Sequence, residues 1–286
     1  MAGALRIFEQ HSRSILSPVS GFLRQAGFTH SLTPARNCTF GCTYCYVPTM
    51  RMYGGLRPED WKAWGRFTTF KANAADLLAG ELRPDQIIYC SPLVDPYQPA
   101  EAEMGVMPRL LERLIERPPA VFVIQTRGPA IVRDLALLRA LAPRTRLRVS
   151  VSITTDDDRV RRVFEPHCAS IEERVAVLGE LNSAGIMTYA TLAPLLPSNP
   201  ERLIRLAAAA SPHDLIADPL HIRAGKPHGA TTRPEAFRVA AVHHWQQWFE
   251  ADFQAALVEE CRVAAARLGR NFAVGAEAFA WLARRN

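Results

Sequence analysis

From about residue 80 to residue 222 the chain alternates short β-rich runs with segments of helical period, an order that constrains it to repeated βα units around a parallel sheet. "QIIYCS" leads to the helical "MPRLLERLIER", "AVFVIQT" to "AIVRDLALLRALA", "RLRVSVSIT" to "SIEERVAVLGELNSAG" and "MTYATLAPLL" to "NPERLIRLAAAA", and "DLIADPLHI" closes the series. A strand at "HSLTPA" brings the total to about six, and "NAADLLAGEL" is the first helix. The expected fold is α/β, a partial (β/α)6 TIM-like barrel with a helical C-terminal extension. One helix carries its own boundaries: Ser170 with Glu173 three positions on reads as a capping box, and Gly185 stands where a left-handed C-terminal cap belongs.

After "GKPHGATTRPE" the pattern becomes a long helical tail from about Ala236 to Gly269, followed by a short end. The expected organisation is an N-terminal extension over residues 1–29, the barrel over 30–225 and a helical region over 226–286 packed on the barrel. His243, His244, Trp245 and Trp248 form an aromatic and imidazole patch in that tail, read as helix packing with base stacking as the alternative. Apolar runs such as "LIRLAAAA" stop short of the roughly 20 residues that cross a bilayer. The N-terminus lacks the basic-then-apolar layout of a secretion signal. A cytoplasmic protein without membrane contact is expected. The formal charge of +6 leaves nucleic acid open as a partner, but the basic residues are scattered rather than gathered in a tract.

Three of the six cysteines fall within eight residues, in "RNCTFGCTYCYVPT". Cys38, Cys42 and Cys45 form C-x3-C-x2-C on a loop after a strand, with Gly41 available for a tight turn. In a reducing compartment such a cluster of thiols points to metal rather than to disulfides. Three thiolates can hold three irons of a [4Fe–4S] cluster and leave the fourth open to a molecule with an amino and a carboxylate group. The alternative is a zinc site completed by Cys90 or His30, which would make the chain a non-catalytic zinc-bearing nucleic-acid-binding module.

"CTFGCTYCY" resembles the cluster loop of radical S-adenosylmethionine (SAM) enzymes, with an aromatic before the last cysteine and another after it. "SPLVDPYQPAE", "RDLALLRAL", "SVSITT", "FEPHCASIEERVAVLGELNSAGI" and "LAPLLPS" extend the resemblance from residue 30 to about 222, toward the branch named for spore photoproduct lyase, a DNA repair enzyme. The resemblance implies a [4Fe–4S] cluster on Cys38, Cys42 and Cys45, with Tyr44 and Tyr46 flanking the cluster and the SAM adenine. It places Asp95 against the SAM ammonium and the Ser152 hydroxyl on SAM. Arg127 of "QTRGP" takes the place of a frequent family lysine that meets the SAM carboxylate, a role its planar fork suits. Each has a plainer reading: packing tyrosines, a turn aspartate before Pro96, a barrel-lining serine.

The implied activity is reductive cleavage of SAM to methionine and a 5′-deoxyadenosyl radical, fed by a reductant such as flavodoxin or ferredoxin. The radical's substrate is left open by the resemblance, with nucleic acid one candidate. Cys90 is a candidate hydrogen donor to a product radical, although aligned on Asp95 it is displaced from the cysteine the branch uses, and a buried packing role is the competing expectation. Glu165 and Arg174 are expected to form a buried pair that positions the following helix. Cys168 and Cys261 show no partner spacing and read as inert.

Overall fold

The computed structural model describes residues 5–50, 63–223 and 231–284. Eleven strands are present among them: β1 (Arg6–Gln10), β2 (Leu16–Pro18), β3 (His30–Leu32), β4 (Ala35–Arg36), β5 (Phe67–Lys71), β6 (Ile87–Cys90), β7 (Val121–Thr126), β8 (Arg146–Ser152), β9 (Thr188–Leu195), β10 (Leu215–Pro219) and β11 (Phe272–Val274). The main sheet runs β11-β10-β9-β8-β7-β6-β3-β2. Every neighbouring pair from β3 to β11 is parallel, and β2 joins β3 antiparallel. The six strands expected from the sequence are β3, β6, β7, β8, β9 and β10. The sheet ends in two separate edges, β2 and β11, so the α/β barrel is partial.

β6 (IIYC) and β7 (VFVIQT) are apolar nearly end to end because both of their faces are covered, whereas β8 (RLRVSVS) alternates apolar outer residues with Arg148, Ser150 and Ser152. On β6, Ile88 and Cys90 pack with Leu78 and Leu110 of the surrounding helices, whereas Ile87 and Tyr89 join Val121, Val123 and Ile216 inside the barrel. Successive strand residues point to opposite faces, which gives the barrel an outer and an inner core. The helix Ile171–Ser183 has the expected capping box, and Gly185 takes φ +77° just past its end.

The tail departs from expectation. A single helix over 236–269 would separate Phe237 from Phe249 by about 18 Å. The chain doubles back instead, so that these rings lie 4.3 Å apart, and His244 at φ +59° makes the corner. The result is a helix at Pro234–Val242, a 3-10 turn at Gln246–Phe249 and a helix at Ala251–Arg267. Beyond them β11 extends the main sheet, and the helix Gly275–Ala283 brings Phe279 and Leu282 against the inner residues Ile87 and Val121. Those residues begin β6 and β7, so this last helix closes the lower mouth of the barrel. Arg148 ties it there by donating to the Leu282 carbonyl at 2.8 Å. The tail thus contributes to the barrel as well as packing on it, and the expected boundary at 225/226 lies outside the described residues.

The N-terminal residues are also built in. β1 lies parallel to β5, and β5 lies antiparallel to β4, in a small sheet beside the cysteine loop. The sequence carried a signal for it in the aromatic and β-branched residues of "FTTFK", and in the structure these alternate between half-buried and buried positions.

Candidate functional site

The loop with Cys38, Cys42 and Cys45 leaves the C-terminal end of β3, and Asp95, Arg127 and Ser152 stand at the same ends of β6, β7 and β8. Parallel barrels gather their active residues at that face. His30 lies at the other end of β3, away from the loop.

Two segments hold the loop. On one side, buried Gln98 accepts from the Thr39 amide at 2.8 Å and from its hydroxyl at 3.1 Å. On the other, "FEPHC" at residues 164–168 acts as a buttress. The Phe164 carbonyl accepts from the Thr43 amide at 2.9 Å and its hydroxyl at 3.3 Å. Gly41 takes φ +64° and sits so close to Gly65 that a Cβ on Gly65 would lie 2.6 Å from the Gly41 Cα. A Cβ on Gly41 itself would press on His167 at 3.2 Å. The loop is therefore clamped between the Gly65 turn and the buttress, and neither position has room for a side chain.

Glu165 is the charged centre of the buttress and is fully buried. It accepts from Arg127 at 2.7 Å, Arg174 at 2.5 Å, Thr154 at 3.0 Å and the Tyr44 hydroxyl. Arg174, also fully buried, donates further to the carbonyls of Ser152 and Ala169, both at 3.1 Å. The expected Glu165–Arg174 pair is present, and it anchors the end of β8 as well as the helix. Burial by itself would raise the Glu165 pKa; the guanidiniums of Arg174 and Arg127 reverse that and hold it at about 2.

Arg127, expected on the SAM carboxylate, directs its Nη1 to Glu165, to the Tyr44 hydroxyl and to the Cys42 sulfur at 3.5 Å. Asp95 has both carboxylate oxygens engaged. Oδ1 accepts from the Tyr97 amide at 2.9 Å and the Thr126 hydroxyl at 2.6 Å, and Oδ2 from the Arg127 amide at 2.8 Å. It brackets the end of β6 to the end of β7. Gly128 completes this bracket, because a Cβ there would sit 2.1 Å from the Tyr97 carbonyl oxygen. Ser152 is buried and accepts from Gln125 at 2.9 Å; Gln125 in turn accepts from Tyr89 at 3.0 Å, in a polar chain along the inner face. Tyr44 is a buried member of the Glu165 network, and Tyr46 donates to the Pro92 carbonyl at 3.1 Å beside the ring of His221.

Cys90 is fully buried on the outer face of β6, opposite Tyr89. A hydrogen donor to a radical above the barrel would need the inner face or the open end, so the donor reading does not fit this placement. Cys168 differs from its sequence reading in the other direction: its sulfur lies 3.8 Å from that of Cys42.

The thiols suit an iron–sulfur cluster in their chemistry. All three are free, and Cys38 and Cys45 are partly exposed where core cysteines would be sealed. Backbone groups of Asp95 and Phe40 near Cys38, and of Val47 near Cys45, favour the thiolate form of these ligands. Without a bound metal, burial raises the pKa of Cys38 and puts Cys45 at about 12. The contact from Cys168 lowers that of Cys42. Loading would therefore release protons. Of the fourth ligands a zinc site would use, His30 lies at the far end of β3 and Cys90 is buried on the outer face of β6, so neither meets the three thiols. A cluster instead takes one thiolate per iron.

Residues 32–210 match the Radical SAM superfamily. The chain belongs to that superfamily. Among solved structures it is similar to spore photoproduct lyase complexed with dinucleoside spore photoproduct, at TM-score 0.63 and 14% identity over 94% of this chain and 81% of that one. A mutant lyase with bound AdoMet and the same dinucleoside is similar at TM-score 0.63 and 13% identity, with the same coverage. At such identities the likeness is one of fold. An uncharacterized protein of Mycobacterium tuberculosis is 25% identical over 206 residues, 68% of this chain and 60% of its own length. One of Methanocaldococcus jannaschii is 26% identical over 160 residues, 56% of this chain and 58% of its own. The chain thus spans about three fifths of the length of these curated relatives. No described helix is long and apolar enough to cross a membrane.

Proposed function

We propose that this chain is a radical SAM enzyme that holds a [4Fe–4S] cluster on Cys38, Cys42 and Cys45, binds SAM over the strand ends and cleaves it reductively. The observation that carries the reading is the three-thiol loop clamped at the C-terminal face of the barrel between Gln98, the Gly65 turn and the Phe164–Cys168 buttress. When bound, the cluster and SAM together would supply an electron to the sulfonium and a 5′-deoxyadenosyl radical.

The chain's own residues position and enclose. Glu165 and Arg127 fix Tyr44 and Cys42, so Arg127 serves the loop rather than the SAM carboxylate. Asp95 holds the ends of β6 and β7 in register beneath the cofactor. Ser152 accepts from Gln125 and keeps its own proton for SAM. Tyr46, beside the loop, would flank the adenine. The last helix, with Phe279 and Leu282, excludes water from below.

The electron would come from a flavodoxin- or ferredoxin-like donor in a reducing cytoplasm, in keeping with six free cysteines. Nucleic acid is retained as one candidate target of the radical, on the +6 charge. The outward placement of Cys90 argues against a reaction that returns hydrogen from this thiol. Anaerobic reconstitution tests the reading: the wild type should take up a full [4Fe–4S] complement with its brown absorption, and Cys42→Ala should lose it. Full iron retention in Cys42→Ala would refute the assignment.

A further inference from the structure

Cys168 stands 126 residues beyond Cys42 in the chain, yet the two sulfurs lie 3.8 Å apart in a buried setting. Its position is held from both sides. The Cys168 amide donates to the Glu165 carbonyl at 3.1 Å, and the Cys168 carbonyl accepts from Arg161 at 3.0 Å. The Arg127 guanidinium reaches the same Cys42 sulfur from the Glu165 network at 3.5 Å. Cys42 therefore has two side-chain neighbours, Cys168 and Arg127, placed to donate a hydrogen bond to its sulfur.

Between two free thiols either can be the donor. Ligation removes that symmetry, because a cysteine bound to iron has given up its proton. The bond then runs one way, from the Cys168 S–H to the Cys42 sulfur. We propose that Cys168 is a positioning residue whose thiol donates to the cluster ligand Cys42 and raises the reduction potential of the cluster. The inference rests on the cluster reading above. Its physical basis is that reduction adds negative charge to the cluster and its sulfurs, and a donor aimed at a sulfur stabilises that charge. A thiol is a weak donor in water, but in a buried site its dipole is poorly screened. No bond forms or breaks at Cys168, and its proton stays where it is.

Wild type, Cys168→Ala, Cys168→Val and Cys168→Ser are reconstituted anaerobically and assayed for iron and sulfide before any titration. A wild type that takes up no cluster refutes the underlying reading; the inference itself is judged on loaded protein. In a potentiometric titration followed by electron paramagnetic resonance, the alanine and valine variants should show midpoints shifted downward at unchanged iron content. The serine variant, which keeps a hydroxyl donor, should have a midpoint above those of the alanine and valine variants. Equal midpoints in all four proteins would overturn the inference. So would loss of iron from all three variants, since Cys168 would then be a ligand rather than a donor.

Discussion

Replacing Glu165 with glutamine keeps the shape of the side chain and removes the charge that two guanidiniums share. The size of the effect follows from the site. A carboxyl whose pKa falls from the ordinary 4.5 to about 2 on folding contributes about 3 kcal/mol when ionised. Breaking a buried ion pair by removing one partner gives a similar figure, roughly 3–5 kcal/mol. Because the folded pKa is depressed, this stability is fully present above pH 4.5 and is lost as pH falls toward 2. Urea unfolding of wild type and Glu165→Gln should therefore differ by about 3 kcal/mol at pH 7, with the gap narrowing by more than half at pH 3. A difference below about 1 kcal/mol, or one that does not change with pH, would show that Glu165 is not the charged centre of the buttress.

Three further substitutions probe the supports of the site. Gly128→Ala should destabilise by roughly 1–3 kcal/mol, because its Cβ would meet the Tyr97 carbonyl oxygen, and a thermal melt matching wild type would contradict that close approach. Gln98→Ala strips the buried Thr39 amide of its acceptor, at a cost of about 1–3 kcal/mol, and should lower the yield of iron on reconstitution; full loading with an unchanged melt would remove Gln98 from the loop's support. Cys90→Ala should cost about 1 kcal/mol as a small loss of outer-face packing and leave the products of SAM cleavage unchanged. A changed product pattern would restore Cys90 as a hydrogen donor.

The strands of the barrel were legible because "AVFVIQT" is apolar on both faces, "RLRVSVS" alternates apolar with polar residues, and the strands are separated by helices with their own signals, as at Ser170, Glu173 and Gly185. The three thiols were legible because metal ligands on one loop keep a fixed spacing. The supports were not, since they act between distant parts of the chain. Gln98 meets Thr39 across 59 residues, Arg127 meets Cys42 across 85, and Cys168 meets Cys42 across 126. No local periodicity records such contacts. In the tail, helical composition continued through the corner at His244, where ring packing decided the path, and the three residues of β11 were too short to show a period. The placement of Arg127 illustrates the same limit: its position at a strand end was readable, but the direction of its guanidinium depended on where Glu165 lay.

Cleavage of SAM by this three-thiol loop is tested most directly by product analysis of the anaerobically reconstituted, reduced protein incubated with SAM. Wild type should produce methionine and 5′-deoxyadenosine in equal amounts, and Cys42→Ala should produce neither. A fully loaded, reduced wild-type protein that leaves SAM intact would contradict the proposed activity.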